Sequence, residues 1–150
     1  MILRLSAATL LAALIGLLAF LLPASGWSDP RTFLEVSPNG RDDLDALMTT
    51  LEDYLDEGLP MTDPVVIILH GSEASSFTSQ GYSRNRMLVD RAALLSAYRL
   101  IDVRMCETWM SENDVEAGDI PAFVETVPYA PEEIEKLEAQ GYVPRADLKI

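Results

Sequence analysis

The chain has 150 residues, of which 49% are hydrophobic, so it holds enough apolar material for one ordinary core and is too short for two comfortable ones. Its 24 acidic residues against 11 basic ones give a formal charge of −13, which repels phosphate backbones and anionic headgroups and argues against general nucleic-acid binding. A single cysteine, Cys106, excludes an intrachain disulfide.

Residues 1–26 stand apart from the rest. Arg4 is their only charged residue, and the run from Leu5 to Leu22 contains nothing more polar than Ser6 and Thr9, so it can enter a bilayer as a helix. Small residues at Ala24 and Gly26 before Trp27 fit a cleaved signal peptide, toward which the balance leans. An apolar run longer than the ~7 to 15 residues of an ordinary signal fits an uncleaved anchor. Cleavage leaves ten basic residues against 24 acidic ones, a formal −14 for residues 27–150. In both cases those residues form one domain, periplasmic or otherwise extracytoplasmic, that meets a membrane only through the N-terminal segment.

Arg31 to Val36 has the β-branched and aromatic character of a strand and stops at the turn formers Ser37-Pro38-Asn39-Gly40. From Arg41 to Glu57, Leu44, Leu47, Met48, Leu51 and Leu55 recur at helical spacing, with Asp42 and Asp43 in the first turn and Gly58 as the stop. Val65 to Leu69 is apolar at every position, as a strand covered on both faces requires. His70-Gly71 ends it. A polar loop from Ser72 to Ser83 is expected next, then a helix from Arg86 to Tyr98 with Met87, Leu88, Leu94, Leu95 and Tyr98 on its buried side. Leu100 to Cys106 alternates, placing Ile101, Val103 and Met105 on one face and Asp102, Arg104 and Cys106 on the other. A helical turn over Thr108 to Glu112, a strand over Ala122 to Val127, a helix opened by Pro131 and closed by Gly141, and a short strand at Tyr142-Val143 complete the pattern. Alternating strands and helices predict an α/β fold, a parallel sheet with helices on both faces.

In such a sheet, ligands gather beyond the carboxyl ends of the strands. Those ends carry Asn39 and Gly40, His70 and Gly71, Cys106 and Glu107, and Pro128 and Tyr129. An unpaired cysteine in an exported chain is a buried small hydrophobe, an intermolecular partner or a thiol kept for chemistry, and the first is the commonest.

The apolar strand ending in His70-Gly71, the strand ending in Cys106, then Phe123-Val124-Glu125-Thr126-Val127-Pro128 and a helix ending in Gly141-Tyr142 together resemble the DsrE/DsrF-like family. The resemblance runs from about Thr32 to Val143. It implies a three-layer α/β/α domain with a parallel sheet of about five strands, assembly into homo-oligomers, and sulfur relay as a cysteine persulfide, with Cys106 at the sulfur-carrying position. A sulfur donor or acceptor protein is then a partner, and no cofactor is implied.

Thiol chemistry needs a stabilised thiolate. Asp102, Glu107 and Glu112 oppose it, whereas Arg104, on the same strand face, and His70, the only histidine, favour it or move its proton. The candidate catalytic pair is Cys106 and His70. Gly71, Arg84, Arg86 and Arg104 are candidate anion or ligand contacts, and Arg84, Arg86 and Arg91 gather around the expected start of the second helix, where N–H groups favour anions. The acidic first helix is a candidate partner for that basic region in a neighbouring subunit. Two rivals remain: a non-catalytic oligomeric interaction or small-ligand module, and a soft-metal binder of Cu(I) using Cys106, Met105, Met110 and His70. No metal site is assigned, because Met105 alternates away from Cys106.

Overall fold

The computed structural model describes residues 30–36, 40–58 and 61–145. The apolar segment 1–26 lies outside them. Five strands carry the fold: β1 (Thr32–Glu35), β2 (Val65–Leu69), β3 (Ile101–Cys106), β4 (Val124–Val127) and β5 (Val143–Pro144). They are joined through α1 (Gly40–Asp56), α2 (Ser79–Ala97), α3 (Glu107–Glu112) and α4 (Ala130–Ala139). The sheet is parallel throughout, in the order β4-β3-β2-β1-β5. Parallel neighbours need crossover connections over the sheet's faces, and helices lie on both sides in a three-layer α/β/α fold. The all-apolar β2 is the middle strand, with every residue at 0–2% exposure.

Alternate strand residues build two unlike faces. Leu34, Ile67, Val103 and Val124 form one lateral row of the ladders. They pack with Leu44, Leu47, Met48 and Leu51 of α1 and Leu88, Val89, Ala92 and Leu95 of α2 in the main core. The four α1 residues fall at i, i+3, i+4 and i+7, and each buried side chain of this kind contributes about 1.5–3 kcal/mol. On the other face Phe33, Val66, Ile68 and Cys106 pack with Ala130 and Leu137 of α4 in a smaller cluster. Trp109 of α3 touches both clusters.

The segment expected as a polar loop is helical. A 3₁₀ helix over Ser72–Phe77 leads through Thr78 into α2, which starts at Ser79 rather than Arg86. Two apolar residues, Ala74 and Phe77, are at 0% and 1% exposure and anchor this segment. Phe77 also meets Phe123 edge-on, at 6.5 Å between centroids. Thr78 caps α2 by accepting from the Gly81 N–H, and a Cβ at Gly81 would sit 1.8 Å from the Ser75 carbonyl oxygen, so only glycine fits there. The buried side of α2 also differs from expectation. Leu88 and Leu95 are buried, but Met87, Leu94 and Tyr98 are 80%, 48% and 59% exposed. Val89 and Ala92 join Leu88 and Leu95 on the buried side, at i, i+1, i+4 and i+7 of one helical face.

Candidate functional site

All five strands end on the same edge, so β1, β2 and β3 bring their carboxyl ends side by side. At the end of β2, Glu73 folds back from the 3₁₀ helix. Its Oε1 accepts from the backbone N–H of His70 at 3.1 Å and of Gly71 at 2.9 Å. The carboxylate is 5% exposed, and Oε2 has no donor among the described residues. A Cβ on Gly71 would lie 2.5 Å from that oxygen, so a side chain there would push the carboxylate off the turn.

The imidazole of His70 approaches Glu35 at the end of β1, with Nε2 3.1 Å from Oε1. The separation is within ion-pair range, and the ring nitrogen is not aligned for a hydrogen bond. Leu69 pairs with Met105 across β2 and β3. The ladder ends at that pair; His70 and Cys106 are the residues that follow it on the two neighbouring strands, and by alternation both belong to the face covered by α4. Glu35 is paired with Ile68, two residues before His70, and its side chain meets the imidazole diagonally, so Glu35, His70 and Cys106 form a stepped row across three adjacent strands, on the side covered by α4.

Cys106 ends β3 and occupies the N-cap position of α3 without accepting a capping bond. It is 3% exposed, packed with Phe33, Val66, Ile68, Ala130 and Leu137. Arg104 sits two residues earlier on the same face, but its guanidinium is committed elsewhere. It donates to Asp102 from Nε at 3.1 Å and to Glu133 of α4 from Nη1. Burial works against its charge, and the Asp102 hydrogen bonds with the Asp102 and Glu133 carboxylates outweigh burial and hold its pKa above the ordinary guanidinium value. It is a structural cation rather than a partner for a thiolate.

The remaining candidates do not converge on this row. Arg84 and Arg86 lie beyond the first turn of α2, on the far side of the sheet from Cys106 and Arg104. Arg86 is exposed and bonds Asp90 at 3.3 Å, and that bond raises its pKa. Arg91 turns to α1 of the same chain, gripping Glu52 at 2.7 and 2.8 Å and Asp45 at 3.3 Å. Arg91, one of the three arginines of that basic region, thus pairs with the acidic α1 within the chain. Met105 and Met110 pack in the main core while Cys106 packs in the α4 cluster, so the sheet divides the soft-ligand set. Among the described residues no group of three His, Cys, Asp or Glu side chains is placed to hold a metal ion.

Two cavities flank the sheet. One of about 190 Å³ opens near the carboxyl edge on the α2 side, lined by Thr78, Gln80, Trp109 and Asp119 among others. The larger, about 290 Å³, is lined by Thr32, Leu51, Tyr54 and Val65, at the amino edge. It lies at the opposite end of the strands from Cys106, so its size does not bear on the thiol row.

No family model matches the chain, and no curated protein matches it. A solved protein of unknown function from Methanobacterium thermoautotrophicum is similar in structure, with a TM-score of 0.60 at 11% identity, covering 78% of this chain and 100% of that one. At that identity the likeness is one of fold.

Glu35 and Glu73 are the two participants that sequence patterning missed. Glu35 stands one residue from the end of the first expected strand, but its meeting with His70 depends on β1 and β2 being neighbours, which needs the strand order. Glu73 was hidden inside a segment read as loop.

Proposed function

We propose that this chain is an exported or membrane-anchored DsrE/DsrF-like protein that carries sulfur as a persulfide on Cys106, within a sulfur relay. The observation that carries this is the row Glu35, His70, Cys106 on one face of the carboxyl edge, with a carboxylate 3.1 Å from the only imidazole and that imidazole one strand from the only thiol. His70 accepts the thiol proton, and Glu35 stabilises the imidazolium that results. The Cys106 thiolate attacks the outer sulfur of a persulfide donor, and a new S–S bond forms to Cys106 Sγ. The donor's own S–S bond breaks with its electron pair leaving on the donor thiolate, which takes the proton back from His70. Oxidation states balance, so no separate oxidant is required, and an acceptor thiolate reverses the sequence on a partner protein.

The exposed stripe Met87, Leu94 and Tyr98 on α2 supports a homo-oligomer, since the three fall on one helical face and are large apolar side chains open to solvent in the single chain. The test of sulfur carriage is whole-protein mass after exposure to a sulfane-sulfur donor. Wild type is expected to gain one sulfur atom and Cys106→Ser none; a wild type that gains none overturns the proposal.

A second function is favoured by one specific observation, the 3% exposure of Cys106. A thiol that packs as a small hydrophobe suits a non-catalytic oligomeric or small-ligand module. In that case Cys106→Ala leaves assembly and partner binding unchanged, whereas loss of a specific activity on that substitution excludes it.

A further inference from the structure

We infer that Glu73 is the positioning residue of the thiol row, holding the main chain at His70–Gly71 so that the imidazole stays against Glu35 on the face that carries Cys106. The inference rests on the sulfur-carrier function proposed above. Glu73 is a carboxylate held at 5% exposure on a connecting segment, where burial of a charge is costly unless it is paired, and no cation pairs with it among the described residues. What it has instead is two backbone N–H donors, those of His70 and Gly71, converging on one oxygen. These are the first two donors beyond the end of β2. Fixing them, together with the Ala74 N–H that donates to the Gly71 carbonyl, fixes the Cα–Cβ direction of His70 and through it the reach of the ring toward Glu35.

Gly71 supplies the matching half. A Cβ there would lie 2.5 Å from Glu73 Oε2, so the carboxylate keeps this position only while residue 71 has no side chain. The second carboxylate oxygen remains buried and unpartnered.

His70 is the only histidine, so its ring signals in a nitrogen-correlated NMR spectrum need no assignment, and they report the position and tautomer of the ring whether or not sulfur is carried. In the full chain, Glu73→Ala is expected to move those signals toward the averaged pattern of a free imidazole and to slow sulfur loading of Cys106 roughly tenfold or more. Glu73→Gln keeps the acceptor oxygen and is expected to preserve both the ring signals and the loading rate. Where Glu73→Ala does not fold, Gly71→Ala displaces the same carboxylate from the other side and is expected to act alike. A folded Glu73→Ala or Gly71→Ala protein with wild-type ring signals overturns the inference. Should wild type take up no sulfur while the ring signals still depend on Glu73, sulfur carriage fails and the positioning role stands.

Discussion

The two faces of this sheet come from alternate residues of the same strands, yet they hold different things. Toward α1 and α2 the strands present Leu34, Ile67, Val103 and Met105, a continuous aliphatic layer closed by two long helices. Toward α4 they present Phe33, Val66 and Ile68 beside Asp102, Arg104, His70 and Cys106, closed among the described residues by one helix of ten residues. The first face provides most of the cohesion, and the second provides polar and nucleophilic groups with just enough apolar packing to hold them in register. An odd or even position on β3 therefore decides whether a residue packs in the main core or faces α4.

The largest effect that would break this comparison is on the core itself. Ile67 and Ile68 are consecutive, both at 0% exposure, and face opposite ways. Ile67→Ala is expected to cost about 2–5 kcal/mol in urea denaturation, with Ile68→Ala at the low end of that range because its cluster is smaller. Equal losses would contradict the division. Next comes the ion network of the α4 face. Glu133→Ala leaves Arg104 short of one of its two carboxylates in a largely buried position and is expected to cost about 2 kcal/mol, and Arg104→Met with Glu133→Leu together is expected to restore most of it.

A smaller effect is expected at the tie between the helices of the first face. Arg91→Met removes the grip on Glu52 and Asp45 and should cost about 1 kcal/mol. The guanidinium pKa values of Arg91, through its Glu52 hydrogen bond, and of Arg104 are raised in the folded chain. A raised cationic group adds stability that is complete below its unfolded value and is lost only as pH climbs through the folded one. The contribution of both arginines should therefore be constant from neutral to mildly alkaline pH and fade only in strong alkali, as denaturation midpoints at a pH series would show. The smallest effect on folding is expected from Met87→Glu with Leu94→Glu, within about 0.5 kcal/mol. The same pair should lower the mass measured by sedimentation if the α2 stripe joins subunits, and an unchanged oligomer would remove that surface from the assembly.

Much of the fold was legible because β2 and β3 carry unmistakable patterns: five apolar residues in a row for a strand covered on both sides, and strict alternation for one with a polar face. The carboxyl-edge position of His70 and Cys106 followed from those patterns alone. The order of strands did not, because hydrophobic periodicity says which face a residue occupies and nothing of which strand lies next to it, and so Glu35 stayed hidden. The Ser72–Ser83 segment reads as a loop in sequence because of its serines and Gly81, while its helical form depends on tertiary burial of Ala74 and Phe77 and on the close approach of Gly81 to Ser75. Arg104 was read as a possible support for the thiolate since its two carboxylate partners come from its own strand and from a helix 29 residues on, a contact that spacing does not reveal.

The central claim, that the face beneath α4 is built around a working thiol, is tested most directly by sulfur uptake in the native protein. Folded wild type is mixed with a persulfide donor, sampled over time by intact mass, and compared with its own rate of global unfolding. The account predicts that the whole population gains one sulfur, on Cys106, faster than the chain unfolds. Uptake that proceeds only at the unfolding rate, or none at all, would show that Cys106 is a packing residue and contradict it.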